Sequence, residues 1–192
     1  MALVLAAPGG RALASDWPPA LTITADRAAV DVGETITWTL TASGFDTTVY
    51  FFKAYDMNIL ASDSSLAEAS GVVDHMSALL APTAGAANGA SIFGASGGQS
   101  EILGGVDSSD PIVFATFSVI ATAPGQLTYT VEDGGVLPAV DTYRVGGEDF
   151  GPAIWNGAPA IFFADTVTIV PAPAGAPALV LAAFGCRRRR RS

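Results

Sequence analysis

The 192-residue chain is poor in the side chains most often used for chemistry, with one cysteine and one histidine. Cys186 abuts the C-terminal arginine run, so the body has no disulfide, no thiolate metal cluster and no cysteine nucleophile. His75 stands alone, which excludes metal sites built on two or three imidazoles and acid–base schemes that need two. Cations are scarce as well. Five of the nine are Arg187, Arg188, Arg189, Arg190 and Arg191; up to Gly185 only Arg11, Arg27, Lys53 and Arg144 stand against all 18 acids, a net charge of −14. Phosphate binding needs clustered Lys and Arg, so nucleic acid is a poor candidate partner. Long apolar runs are missing too, none approaching the roughly 20 residues of a helical membrane span.

What remains is a body rich in Ala and Val, punctuated by 21 Gly and 12 Pro at short intervals. That mixture suits short strands joined by turns. Period-2 alternation marks Leu21 to Ala25 and, most clearly, Glu34 to Thr41, where Ile36, Trp38 and Leu40 share one face and threonines the other. The apolar face, Trp38 included, is expected in the core. Further strand candidates are Thr48 to Tyr55, Ile112 to Ala121, Gln126 to Glu132 and Ala164 to Val170. Helical signals are few: Ser64 to Ala69 reads as one short turn capped by Ser64 or Ser65, and Asp74 to Leu80 as another, although Val72 and Val73 ahead of it read equally as strand. Ala81 to Gly105 reads as a long loop or a weakly paired hairpin. The expected fold is all-β, an antiparallel two-sheet sandwich with Greek-key or jelly-roll connections over residues 20–170, carrying short helical turns.

The two ends read as processing segments. Residues 1–14 hold a short apolar run and an Ala12-Leu13-Ala14 pattern before Ser15, which suits signal cleavage between Ala14 and Ser15. The run lacks a basic n-region and is broken by Pro8, so a weak or truncated signal and a leader of no consequence both stay open. At the other end Val170-Pro171-Ala172-Pro173 precedes an apolar stretch carrying Leu179, Val180, Leu181 and Phe184, then Cys186 and the five arginines. A tract that short, closed by dense positive charge, makes a transient anchor with its charged end held in the cytoplasm.

This tail, 171–192 with Val170, resembles the PEP-CTERM type of sorting signal in its VPAP-like variant. The resemblance implies an exosortase-like processing enzyme, a C-terminal hydrophobic sorting helix, transient anchoring at the inner membrane, and an exported protein at the cell surface or in the matrix. An ordinary single-pass anchor, or a basic tail on anionic lipid, is the plainer alternative.

The body resembles the cohesin-like sandwich, which is similar to bacterial carbohydrate-binding jelly rolls. The residues that carry the likeness are Val32-Gly33-Glu34-Thr35, the aromatic Val49-Tyr50-Phe51-Phe52, and Phe114 to Gly125 (FATFSVIATAPG) leading into Gln126-Leu127-Thr128-Tyr129. A catalytic reading lacks partners. No G-x-S-x-G elbow occurs, Gly94 to Gly98 being the nearest text, in a stretch that reads as loop, and His75 reads as a surface or capping residue. Asp107, Asp110, Glu132, Asp133, Glu148 and Asp149 are candidate glycosidase acids; turn chemistry is the commoner use of Asp107 and Asp110, and of Glu132 to Gly135 as a strand ending. No cofactor is expected; acidic loops admit Ca²⁺, without a D-x-D-x-D-G loop to hold it. Tyr143, Phe150 and Trp155 are the candidate ligand contacts, as platforms for sugar rings or as plugs at one end of the sandwich. The expected function is therefore a non-enzymatic exported adhesion or structural module whose partner is an extracellular polysaccharide or surface protein. A carbohydrate-binding module is the second reading, a hydrolase with paired acids the third.

Overall fold

The computed structural model describes residues 20–44, 50–76, 82–99, 109–134, 140–144, 153–154 and 161–173. The threonine alternation does what it predicts. Thr35–Ser43 is a strand with every second side chain buried, and Ile36, Trp38, Leu40 and Ala42 all point into the core.

In chain order the strands are β1 (Ala20–Ala25), β2 (Ala29–Asp31), β3 (Thr35–Ser43), β4 (Tyr50–Ala61), β5 (Ala67–Asp74), β6 (Ala86–Asn88), β7 (Ser91–Gly98), β8 (Ile112–Ala121), β9 (Gly125–Asp133), β10 (Val140–Arg144), β11 (Ala153–Ile154), β12 (Ile161–Ala164) and β13 (Thr166–Val170). One sheet has the order β12-β1-β3-β8-β5. The other runs β11-β10-β4-β9-β13-β2, with β7 on the second edge of β4 and β6 on β7. The fold is thus the all-β, two-sheet sandwich expected, but without helices among the described residues. The short helix expected over Ser64 to Ala69 is instead a tight turn followed by the start of β5: Ala67 pairs with Ala121 and the Leu66 carbonyl accepts from Thr122 N–H. Pairing to β8 outweighs a weak local helical preference. Asp74, expected to open a second helix, closes β5, while 77–81 lies outside the described residues.

Both long sides of the sandwich are closed. On one, β1 continues into β2 and β12 into β13, each pair crossing between sheets together as parallel neighbours. Asp165 sits at the crossing, its N–H donating to Ile23 O at 3.0 Å and its Oδ2 accepting from Ala25 N–H at 3.0 Å. On the other side, Ala69 and Val72 of β5 donate to Gly89 O and Ala84 O, both at 2.8 Å, tying the first sheet to the β6–β7 hairpin. Closure removes edges that would otherwise invite pairing with other chains.

Bulges tune the faces. Leu40 pairs with Ala115 and Thr41 with Val113, so Phe114 is an extra residue in β8, and Ile112, Phe114, Ala115 and Phe117 are all buried. Opposite Asn58 of β4 the extra residue lies in β7. There Gly94 takes a positive φ of 68°, and its N–H donates to Asn58 Oδ1 at 2.9 Å.

The two ends of the sandwich differ. At one, short turns join the strands: Asp31–Glu34, Ser62–Leu66, Gly89–Ala90 and Thr122–Pro124. At the other lie the strand ends at Ala20, Ser43, Tyr50, Asp74, Gly98, Ile112, Asp133 and Val140, as the registers Ala20↔Ser43, Ala42↔Ile112, Ala54↔Gly98 and Val140↔Tyr55 require. Here β4 outruns β9. Its last partner on β9 is Asp133, opposite Met57, and the residues before it pair with β10 instead.

Candidate binding end of the sandwich

Polar residues gather beneath the second of these ends. Tyr55 is the inward residue of β4 at that level and 1% exposed; its hydroxyl donates to Asp74 Oδ1 of β5 across the gap between sheets, at 3.1 Å. Burial, then the neighbouring carboxylate, push the phenol well above its usual range, so it acts as a donor only. Desolvation also raises the Asp74 carboxyl, against the lowering effects of the Tyr55 hydroxyl, the Met76 N–H and His75. Gly97 of β7 is what lets the pair close: a Cβ there would lie 2.7 Å from Tyr55 Oη and in collision with the Asp74 carboxylate.

Around this pair stand two more buried polar side chains, Asp56 at 4% exposure and Gln99 at 1%. Gly134 N–H donates to Asp56 O at 3.1 Å, and Gly134 packs so closely on the Asp56 carboxylate that no side chain fits. Asp110 closes the first sheet at the same end. Both its oxygens accept from Gly44 N–H, at 3.0 and 3.2 Å. It therefore serves as a long-range clamp between the ends of β3 and β8, where local turn chemistry was expected. His75 is exposed just past β5, its Nε2 2.9 Å from Thr116 Oγ1, in the surface role expected of it.

The buried donors and acceptors hold strand ends in place, and among the described residues no group of three His, Cys, Asp or Glu could hold a metal ion. On the long side, where β1 crosses into β2 and β12 into β13, a cleft of about 360 Å³ is lined by Ala25, Asp26, Arg27, Ala28, Asp165 and Thr166. Its carboxylates are engaged with the protein: Asp165 with Ala25 N–H, and Asp26 with Thr37 N–H and Arg27.

Of the residues singled out in the sequence, only some fall among the described ones. Tyr143 lies on β10, in register with Phe51, while Phe150 and Trp155 lie outside the described residues. Glu132 is exposed on β9 opposite Asn58 and Asp133 closes that strand, whereas Asp107, Glu148 and Asp149 fall outside. Val170 is the last residue of β13, its carbonyl accepting from Val32 N–H at 3.0 Å; Pro171, Ala172 and Pro173 follow, exposed. Leu179, Val180, Leu181, Phe184, the arginine run and the Ala14–Ser15 junction lie outside the described residues, within which no helix is long and apolar enough to cross a membrane. The Gly94 to Gly98 text, expected in a loop, is β7. Sequence reading misses the Tyr55–Asp74 pair, Asp56 and Gln99, because nothing local marks a tyrosine and an aspartate 19 residues apart as neighbours.

The strand arrangement has clear counterparts. The seventh ScaB type I cohesin from Pseudobacteroides cellulosolvens superposes with a TM-score of 0.54 at 12% identity, over 81% of this chain and 96% of that one. The fold resembles that of cohesin modules. A chain of the CaDoc0917–CaCohA2 complex matches with a TM-score of 0.50 at 13% identity, over 78% of this chain and 99% of its own. At such identities the cohesin-like likeness reaches the backbone and leaves the site residues to be argued from this chain alone. No protein-family profile matches the chain, and no curated protein matches it.

Proposed function

We propose that this chain is a non-enzymatic exported module that works by holding a partner, with the cohesin-like sandwich as the working part and the C-terminal tail as its address. The observation that carries the reading is the match of nearly the whole sandwich to a type I cohesin, 96% of whose chain is covered. The second match is a chain within a complex of two named components, which supports a protein as the partner. The order of Pro motif, short apolar tract and arginine cluster supports transient inner-membrane anchoring, cleavage by an exosortase-like enzyme and delivery to the surface or matrix. The mature module then keeps residues 20–170 as its folded part.

Fractionation of a producing cell tests this, comparing the full chain with one ending at Val170. The full chain is expected in envelope and medium fractions with a mass lacking the arginine run, and the shortened chain only as unanchored protein. Identical cytosolic distribution of both would end the reading. A polysaccharide array, read with and without Trp155→Ala, separates it from the carbohydrate-binding alternative: a hit abolished by the substitution favours the latter.

A further inference from the structure

The chain is threaded through the sandwich from one end to the other, and the direction matters. Ala20 enters at the level of Ser43 and Ile161, the end where Tyr55, Asp74, Gln99 and Asp110 lie. β13 leaves at the opposite end: Ile169 is level with Gly125, and Val170 with Asp31. Pro171 to Pro173 continue from there, exposed. Nine-residue β3, which spans the body, sets the distance between the ends at ~30 Å.

From this we infer that the precursor, while held by its tail, stands on its short-turn end, with the end bearing the Tyr55–Asp74 pair directed away from the lipid surface. The inference rests on the anchoring reading above. It adds which end faces away from the lipid.

Charge keeps the short-turn end off the lipid rather than drawing it down. Asp26, Asp31, Glu34 and Asp63 lie at or near the short-turn end, with Arg27 as the cation among them, itself 3.5 Å from Asp26 and 3.9 Å from Glu34. Such an end is repelled by anionic headgroups over roughly the 8–10 Å Debye length. That end is therefore not pressed onto the lipid. It is held off on a Pro-containing linker, which extends by ~3 Å per residue, with both sheet faces free at the sides.

The test uses the full chain with Cys186→Ser and one reporter thiol, at Ser64→Cys on the short-turn end or at Val113→Cys, 47% exposed, near the other. Each is labelled with a donor dye and added to phosphatidylethanolamine–phosphatidylglycerol vesicles carrying an acceptor dye on a fraction of headgroups. The height difference of ~20 Å, six residues of β3 between the Thr35 and Thr41 levels, makes energy transfer from position 64 well above that from position 113. Equal or reversed transfer in vesicle-bound protein overturns the orientation while leaving anchoring intact. Failure of the full chain to float with the vesicles overturns the anchoring on which the orientation rests.

Discussion

Trp38 of β3 and Tyr129 of β9 meet edge to face between the two sheets, ring centroids 4.8 Å apart and planes at 75°. Phe117 of β8 makes the same kind of contact with Tyr129, at 5.0 Å and 82°. Tyr129 is thus the second sheet's anchor in the first sheet's aromatic layer. Its hydroxyl reaches through the core to Ala90 O at 3.1 Å, which pins the β6–β7 turn. Burial raises this phenol far above its usual range, so it stays a donor.

Tyr129→Phe keeps the ring stacking and removes the hydroxyl that donates to Ala90 O. Ala90 is fully buried, so its carbonyl loses a partner that water cannot replace. The expected loss is about 1–3 kcal/mol in urea unfolding, with an unchanged m-value. Stability equal to wild type would show that the hydroxyl contributes nothing. Trp38 differs: its Nε1–H is buried with no acceptor among the described residues, so Trp38→Phe removes an orphan donor along with volume. Its loss is therefore expected below the roughly 3–5 kcal/mol of Trp38→Ala.

Gly97→Ala tests the Tyr55–Asp74 pair. The added methyl has Tyr55 Cε1 and Oη at 2.7 Å and the Asp74 carboxylate in its path, so the pair must separate. A destabilisation of roughly 1–3 kcal/mol is expected from such overpacking. It should shrink when Tyr55→Phe removes the colliding hydroxyl first. Strictly additive losses in that double-mutant cycle would contradict the contact.

The pH dependence of Asp74 runs opposite to that of most carboxylates. Its folded-state pKa lies above the 3.8 of the unfolded chain, chiefly through desolvation. Between those two values the native state holds more protons than the unfolded one, so stability falls as pH rises through the window. Wild type is expected to gain stability relative to Asp74→Asn as pH drops from neutral toward 3.8. Taking the difference cancels carboxylates with the usual behaviour, such as Asp63, lowered by its bonds from Ser65. A wild-type advantage that shrinks on acidification would reverse the assignment.

Strands with clean alternation are legible in the sequence alone. β3, β8 and β9 lie within one or two residues of where periodicity puts them, because each has one wet and one dry face. For β4 the sequence signal stops at Tyr55, since Asp56 and Asn58 look like strand breakers. In the fold Asp56 is buried beside Gly134, and Asn58 serves the Gly94 bulge. β7, with the text Ser91–Gly98, hides its strand character behind three glycines, and only pairing with β4 reveals it. The candidate binding end is illegible for a related reason: its members come from β4, β5 and the residues just after β7 and just before β8, and no spacing along the chain relates them.

Composition and period thus dictate an acidic, disulfide-free, all-β body, because face alternation and charge are local properties of the chain. Which strands become neighbours, where chain ends leave the sandwich, and which aspartates end up buried are settled by contacts between residues tens of positions apart. Those contacts come from two sheets burying their apolar faces against each other, a collective requirement that no single stretch of sequence expresses.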